Sequence, residues 1–200
     1  AELKQTIDTL LTQMEPRKDL GRPRLGVDRT FSVAGFGTVV TGTLIDGSLS
    51  IGQEVELIPS GKRARIRGLE SHKRKVEEAP PGSRVAVNLS GVSSHEIVSG
   101  DVLVTPKWLR PTTAVDVRMQ IIPDSPTPVR HNMSVTFHSG VAERLAKIRL
   151  LETLELKPGE EGWAQIRLDS PVAVVKSDYF VIRSHSNTIG GGNIVDPYAK

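Results

Sequence analysis

Two hundred residues leave room for one or two domains, and 38% hydrophobic against 24% charged residues describe an ordinary globular chain. The absence of cysteine excludes a disulfide framework and thiolate metal sites, and no apolar run nears the roughly 18 residues of a membrane-spanning helix. No signal peptide opens the chain, so the expectation is a cytoplasmic protein with no membrane partner. The formal net charge is only +3, but residues 22–110 carry thirteen Lys and Arg against nine Asp and Glu, while 111–200 carry ten of each. That local excess reads either as solvated surface or as a phosphate-binding face.

The chain begins with Leu3, Ile7, Leu10, Leu11 and Met14, spaced as the apolar stripe of an amphipathic helix. Pro16, Gly21 and Pro23 then break the pattern into a linker. No later segment is helical enough to cover the stripe, and a short lone helix is marginal in water. Residues 1–24 therefore read as the last helix of an upstream domain and its linker.

From Leu25 to Val104 strands alternate with turns. A β-branched run spans Thr38 to Leu44, followed by Asp46-Gly47, Val55 to Ile58, Ser60-Gly61 and Arg63 to Arg67. Arg84 to Leu89 alternates with period two, and Val102 to Val104 is a short closing strand. Turn signals every 8–12 residues predict a small barrel or sandwich. A boundary is expected at Trp108–Pro111. Beyond it, strands are expected at Ala114–Ile122, Ser134–His138, Leu145–Leu151, Glu161–Leu168, Ala173–Val175 and Tyr179–Arg183. The loop Pro123 to Pro128, with three prolines, should be stiff and exposed. Ile189 to Pro197 reads as a last strand with a bend at its three glycines.

Several motifs resemble catalytic or ligand-binding patterns and fall short of them. Gly35-Phe36-Gly37 lacks the following Gly-Lys-Ser/Thr of a phosphate loop, and β-branched residues follow it instead of a helix, so a tight hairpin or bulge is the better reading. The five histidines show no helical i, i+4 pairing, so no metal site is expected. No serine–histidine–acid set can be defended, and no catalytic residue is assigned. Arg63, Arg65 and Arg67 alternate along a strand and should share one face, with Lys73, Arg74 and Lys75 in the next loop. They are either solubilising charges or contacts to a nucleic-acid backbone. Asp28, Arg29 and Arg84 are the sharpest candidates for a site, although neighbours in a strand face opposite ways unless a bulge intervenes.

Phe31-Ser-Val-Ala-Gly-Phe-Gly-Thr-Val-Val-Thr-Gly42 resembles the opening strands of the second domain of translational GTPases related to elongation factor Tu. Phe36 between the glycines, Asp28-Arg29 before them and Gly82-Ser-Arg-Val-Ala-Val-Asn-Leu-Ser-Gly91 are more similar to the selenocysteine-specific factors of the SelB family. His138-Ser-Gly-Val-Ala-Glu143, Ile148-Arg-Leu-Leu151, Ser170-Pro-Val-Ala173, Tyr179-Phe-Val-Ile-Arg183 and Thr188-Ile-Gly-Gly-Gly-Asn-Ile-Val-Asp-Pro197 extend the resemblance over nearly the whole chain.

The resemblance implies an all-β fold of two consecutive small barrels, at 25–110 and 111–200, downstream of a GTP-binding domain. GTP and Mg²⁺ would belong to that missing domain, with no cofactor in this stretch and no enzymatic activity of its own. The implied partners are selenocysteinyl-tRNA, the ribosome and, through further C-terminal domains, an RNA hairpin that marks a recoded UGA codon. Asp28, Arg29 and Arg84 would line the aminoacyl pocket. Arg63, Arg65, Arg67, Lys73, Arg74 and Lys75 would meet the tRNA backbone. The rival readings are the same domains of elongation factor Tu or of an initiation factor γ subunit, and a structural β-barrel adaptor that binds protein.

Overall fold

The computed structural model describes residues 2–14, 18–185 and 187–199. Helix α1 (Glu2–Gln13) forms where the stripe predicts it, yet none of its residues is buried. Leu3, Ile7, Leu10, Leu11 and Met14 all stand exposed. Among the described residues no helix is long and apolar enough to cross a membrane.

The first half supplies β1 (Arg24–Val33), β2 (Gly37–Ile45), β3 (Leu49–Ser50), β4 (Glu54–Ile58), β5 (Lys62–Ser71), β6 (Arg74–Val76), β7 (Glu78–Ala79), β8 (Arg84–Ser90) and β9 (Val102–Val104). Their antiparallel order is β4-β9-β1-β2-β8-β5, and pairing of β4 with β5 closes the barrel. Period-two alternation is the cause. Along β8, Val85, Val87 and Leu89 point inward while Arg84, Ala86, Asn88 and Ser90 point out. Leu25, Val27, Val40, Leu44, Ile66 and Leu103 meet them in the core. The hairpin from β5 to β6 turns on His72 and Lys73, both left-handed at φ 52 and 62, the conformation a two-residue hairpin turn of the primed type needs.

The second half supplies β10 (Thr112–Ile121), β11 (Val129–Arg130), β12 (Ser134–Ser139), β13 (Ala142–Leu150), β14 (Glu155–Leu156), β15 (Glu161–Val172), β16 (Tyr179–Ser184) and β17 (Asn187–Asp196). Six of them close a second barrel in the order β10-β15-β13-β12-β16-β17. Phe137 and Phe180 stack in its core with ring centroids 5.5 Å apart. The fold is thus all-β, with two closed six-stranded barrels and one short N-terminal helix.

Two expectations for this half are corrected. Ala173–Val175 is not a strand: β15 runs on to Val172, and the next three residues are irregular. Ala173 and Val175 instead join Ile58, Val102, Val104, Trp108 and Leu109 in an apolar cluster between the barrels. Nor do Gly190, Gly191 and Gly192 form a bend. They lie within β17, and a Cβ on Gly192 would fall 2.0 Å from the Arg118 carbonyl oxygen. Close approach of neighbouring backbone is what requires glycine there.

Candidate nucleic-acid interface

Asp28 is the residue on which the candidate pocket turns. In the β1–β2 register Val27 faces Gly42 and Arg29 faces Thr41, so Asp28 is the extra residue of a β-bulge. The bulge changes which way the following side chains point. It leaves the Asp28 carboxylate half-buried over β2, where Oδ1 accepts from the Thr41 hydroxyl at 2.7 Å. Oδ2 accepts from the Arg84 guanidinium at 2.5 Å. Arg84 stands on β8 opposite Thr43 of β2, so three adjacent strands converge on one carboxylate.

Charge follows from that geometry. The hydrogen bond from Arg84 holds the Asp28 carboxyl below its ordinary range, against partial burial and with help from the Thr41 hydroxyl and the charges of Arg84 and Arg29. Asp28 in turn raises the Arg84 guanidinium. Arg29 is exposed and acts on Asp28 through its charge. The three groups carry one formal positive charge in excess. With its side chain 56% exposed, Arg84 can still offer further N–H donors to a ligand.

The same strand face continues into a cavity of about 450 Å³. Its walls are Val33, Phe36, Val39 and Ile51, and Ala86 and Asn88 of β8 lie along it. Val39 faces Asn88 and Thr41 faces Ala86, so the cavity starts two residues from Arg84, about 7 Å along the strand. Asn88 presents a buried Oδ1 with no hydrogen-bond partner. Arg67 and Lys75 stand at the rim. Arg67 is itself a bulged residue, since Ile66 faces Leu89 and Gly68 faces Asn88.

Arg63, Arg65 and Arg67 do share an exposed face, with Ala64 and Ile66 buried between them. Arg65 is partnered by Glu54 at 3.3 Å, a weak surface pair. Of the three cations expected in the next loop only Lys73 lies in the turn; Arg74 and Lys75 instead open β6, paired with Ser71 and Glu70, and all three are exposed.

A second basic surface was not anticipated. On barrel two, Lys147, Arg149, Arg167 and Arg183, from β13, β15 and β16, line a groove of about 940 Å³. Its only sequence signal is Lys147 and Arg149 two apart in a strand. Arg24 was also missed: it is 7% exposed, in a proline-flanked segment that reads as surface. There is no Gly-Lys-Ser/Thr loop, and among the described residues no three His, Asp or Glu converge.

Residues 37–104 match the model of elongation factor Tu domain 2. Residues 116–200 match that of the selenocysteine-specific elongation factor β-barrel domain. A selenocysteine-specific elongation factor of Desulfomicrobium baculatum is 41% identical over 201 residues, covering 100% of this chain. The chain is similar over its whole length to a selenocysteine-specific elongation factor. It spans 32% of that relative's length. Elongation factor 1-alpha of Pyrobaculum aerophilum is 30% identical, with 90% of this chain and 46% of the relative covered. That of Pyrobaculum calidifontis is 30% identical, with 95% and 48% covered. The chain therefore comprises two β-barrel domains of a translation elongation factor.

Proposed function

We propose that the two barrels hold the aminoacyl end and adjoining backbone of selenocysteinyl-tRNA for delivery to the ribosome at UGA. The observation that carries this reading is the Asp28 bulge with Arg84 bonded to it, beside the apolar cavity on one strand face. A selenol is ionised near neutral pH, whereas the serine hydroxyl of a precursor is not. A cluster with one excess positive charge and free guanidinium donors favours the selenolate over the hydroxyl. A charge-assisted hydrogen bond contributes about 1.5–3 kcal/mol. Asp28 holds Arg84 in place, and Arg29 adds the second cation.

The neighbouring cavity suits a flat unpaired base: its apolar walls receive the faces of the base, with Arg67 and Lys75 at the rim. Arg63, Arg65, Arg67 and Lys73–Lys75 then meet phosphates near that end, and the barrel-two groove meets backbone farther along. Helix α1 would pack on an upstream GTP-binding domain that supplies GTP and Mg²⁺. The whole protein would be a cytoplasmic GTPase, reaching the RNA hairpin through other domains. The test is to compare binding of selenocysteinyl-, seryl- and cysteinyl-tRNA by the full-length parent. Selenocysteinyl-tRNA should bind at least 10-fold tighter than seryl-tRNA, and equal affinities would overturn the pocket.

A further inference from the structure

The two basic surfaces proposed above lie on different barrels, so their spacing depends on the joint between them. Most of that joint is apolar: Ile58, Val102 and Val104 of barrel one meet Ala173 and Val175 of barrel two around Leu109. Apolar contact is non-directional and permits rocking or sliding. The Arg24 contact across the joint is directional. Arg24, at the start of β1, donates from both terminal nitrogens to Asp178 of barrel two, at 2.6 and 2.8 Å. Its Nε donates to Asp46 in the turn after β2, at 2.7 Å. The Arg24 side chain is 8% exposed, and those of Asp46 and Asp178 are 26% and 19%.

Asp178 and Asp46 are themselves held. Asp178 Oδ2 also accepts the Val175 backbone N–H at 2.9 Å. The Asp46 carbonyl oxygen accepts the N–H groups of Leu20 and Arg22, at 3.0 and 3.2 Å. A buried ion pair is a poor source of net stability but has one satisfied geometry. A planar fork on a fixed carboxylate is the most orientation-specific pairing available to a side chain.

We propose that Arg24 is a positioning residue: its fork on Asp178 sets the angle between the barrels and so holds the basic surface of each at the spacing one RNA requires. The use of that spacing rests on the RNA reading above; the joint itself does not. Held rigidly, the second surface engages at high effective concentration once the first is bound. With the fork removed, both surfaces persist but their spacing fluctuates.

The test exploits a chain with no cysteine of its own. Nitroxide labels on Glu78→Cys and Glu152→Cys, one exposed site per barrel, report the inter-barrel distance distribution. Arg24→Gln and the isosteric Asp178→Asn should broaden it at least twofold. Arg24→Lys, which keeps the charge and loses the fork, should broaden it as well. Distributions as narrow as wild type in Arg24→Lys or in Asp178→Asn would overturn the fork as the lock, and Asp178→Asn serves if Arg24→Gln fails to fold.

In parallel, transfer RNA binding by the same chains is measured against salt. Kd should rise at least 10-fold in Asp178→Asn, while the slope of log Kd against log salt stays unchanged, because the same cations still meet phosphates. An unchanged Kd, or a flattened slope, would overturn the positioning role. Failure of the wild-type chain to bind would overturn the RNA reading and the use assigned to the joint. The label distances alone would then decide whether Arg24 locks the barrels.

Discussion

Arg84 reaches the Asp28 carboxylate across 56 positions of sequence, from a strand separated from β1 by the whole width of β2. Both groups stand on the outer face, because Gly26, Thr43 and Arg84 are register partners and Asp28 lies two residues on from Gly26; the bulge at Asp28 turns Arg29 out onto the same face. In regular alternation Asp28 would face with Gly26 and Thr30, and Arg29 with Val27, toward the core.

That pair gives the first expected outcome. Arg84→Ala in the full-length parent should weaken selenocysteinyl-tRNA binding about 10- to 100-fold, the loss expected from about 1.5–3 kcal/mol. Seryl-tRNA should be nearly spared, since it presents no anion to the arginine. Kd values for both tRNAs check this, and equal losses would assign Arg84 to the barrel rather than to selectivity.

The basic face of barrel one gives the second. Replacing Arg63, Arg67, Arg74 and Lys75 by Gln should weaken tRNA binding whatever amino acid is attached. The slope of log K against log salt should flatten by up to about 0.9 for each phosphate no longer neutralised. A salt titration decides between this and plain surface charge. Arg65 is left out because Glu54 already partners it.

Two carboxylates should answer to pH with opposite signs. The Asp28 carboxyl is depressed in the fold, first by its bond from Arg84. Its stabilisation is therefore present above the ordinary carboxylate value near 3.9 and is lost as pH falls through the folded value. Asp28→Asn should unfold more easily than wild type at pH 6, with the difference closing in strong acid. Asp101, 3% exposed, is raised, chiefly by burial. Its burial penalty is absent below the ordinary value near 3.9, grows as pH rises from there and is complete above the folded value. Asp101→Asn, which can still accept the Val98 N–H, should raise stability at pH 7 and lose that advantage below about pH 4. Denaturant midpoints across pH 3–7 check both signs.

Gly192→Ala should destabilise barrel two sharply, because its Cβ would meet backbone at 2.0 Å and 2.9 Å, with no flexible side chain to yield. Loss of more than about 2 kcal/mol in a denaturant melt is the expected result. Gly159→Ala is the control: its Cβ meets nothing within 4 Å, and only its φ of +87 is strained.

Removal of residues 1–17 should leave the barrels' melting temperature within about 2 °C of wild type, since α1 buries none of its residues. The cut must stop before Asp19. Its carboxylate accepts from the Ser48 backbone and hydroxyl, at 3.0 and 2.5 Å, and ties the linker to the turn that carries Asp46.

Period-two patterning is local, so the sequence alone determined the all-β class and most strand positions: β8, β9 and the exposed row Arg63, Arg65 and Arg67 appear where alternation puts them. The residue motifs likewise carried the family resemblance. What alternation cannot show is where a strand slips by one residue, and the bulge at Asp28 is such a slip: it turns Arg29, which alternation would put beside Val27 in the core, out to the candidate site. Nor can it show which strands become neighbours. Arg24 is buried, Lys147, Arg149, Arg167 and Arg183 line one groove, and Gly190 to Gly192 must be glycine only because distant segments are brought against them. Those relationships arise from barrel closure and from the packing of one barrel on the other, so only the tertiary structure decided them.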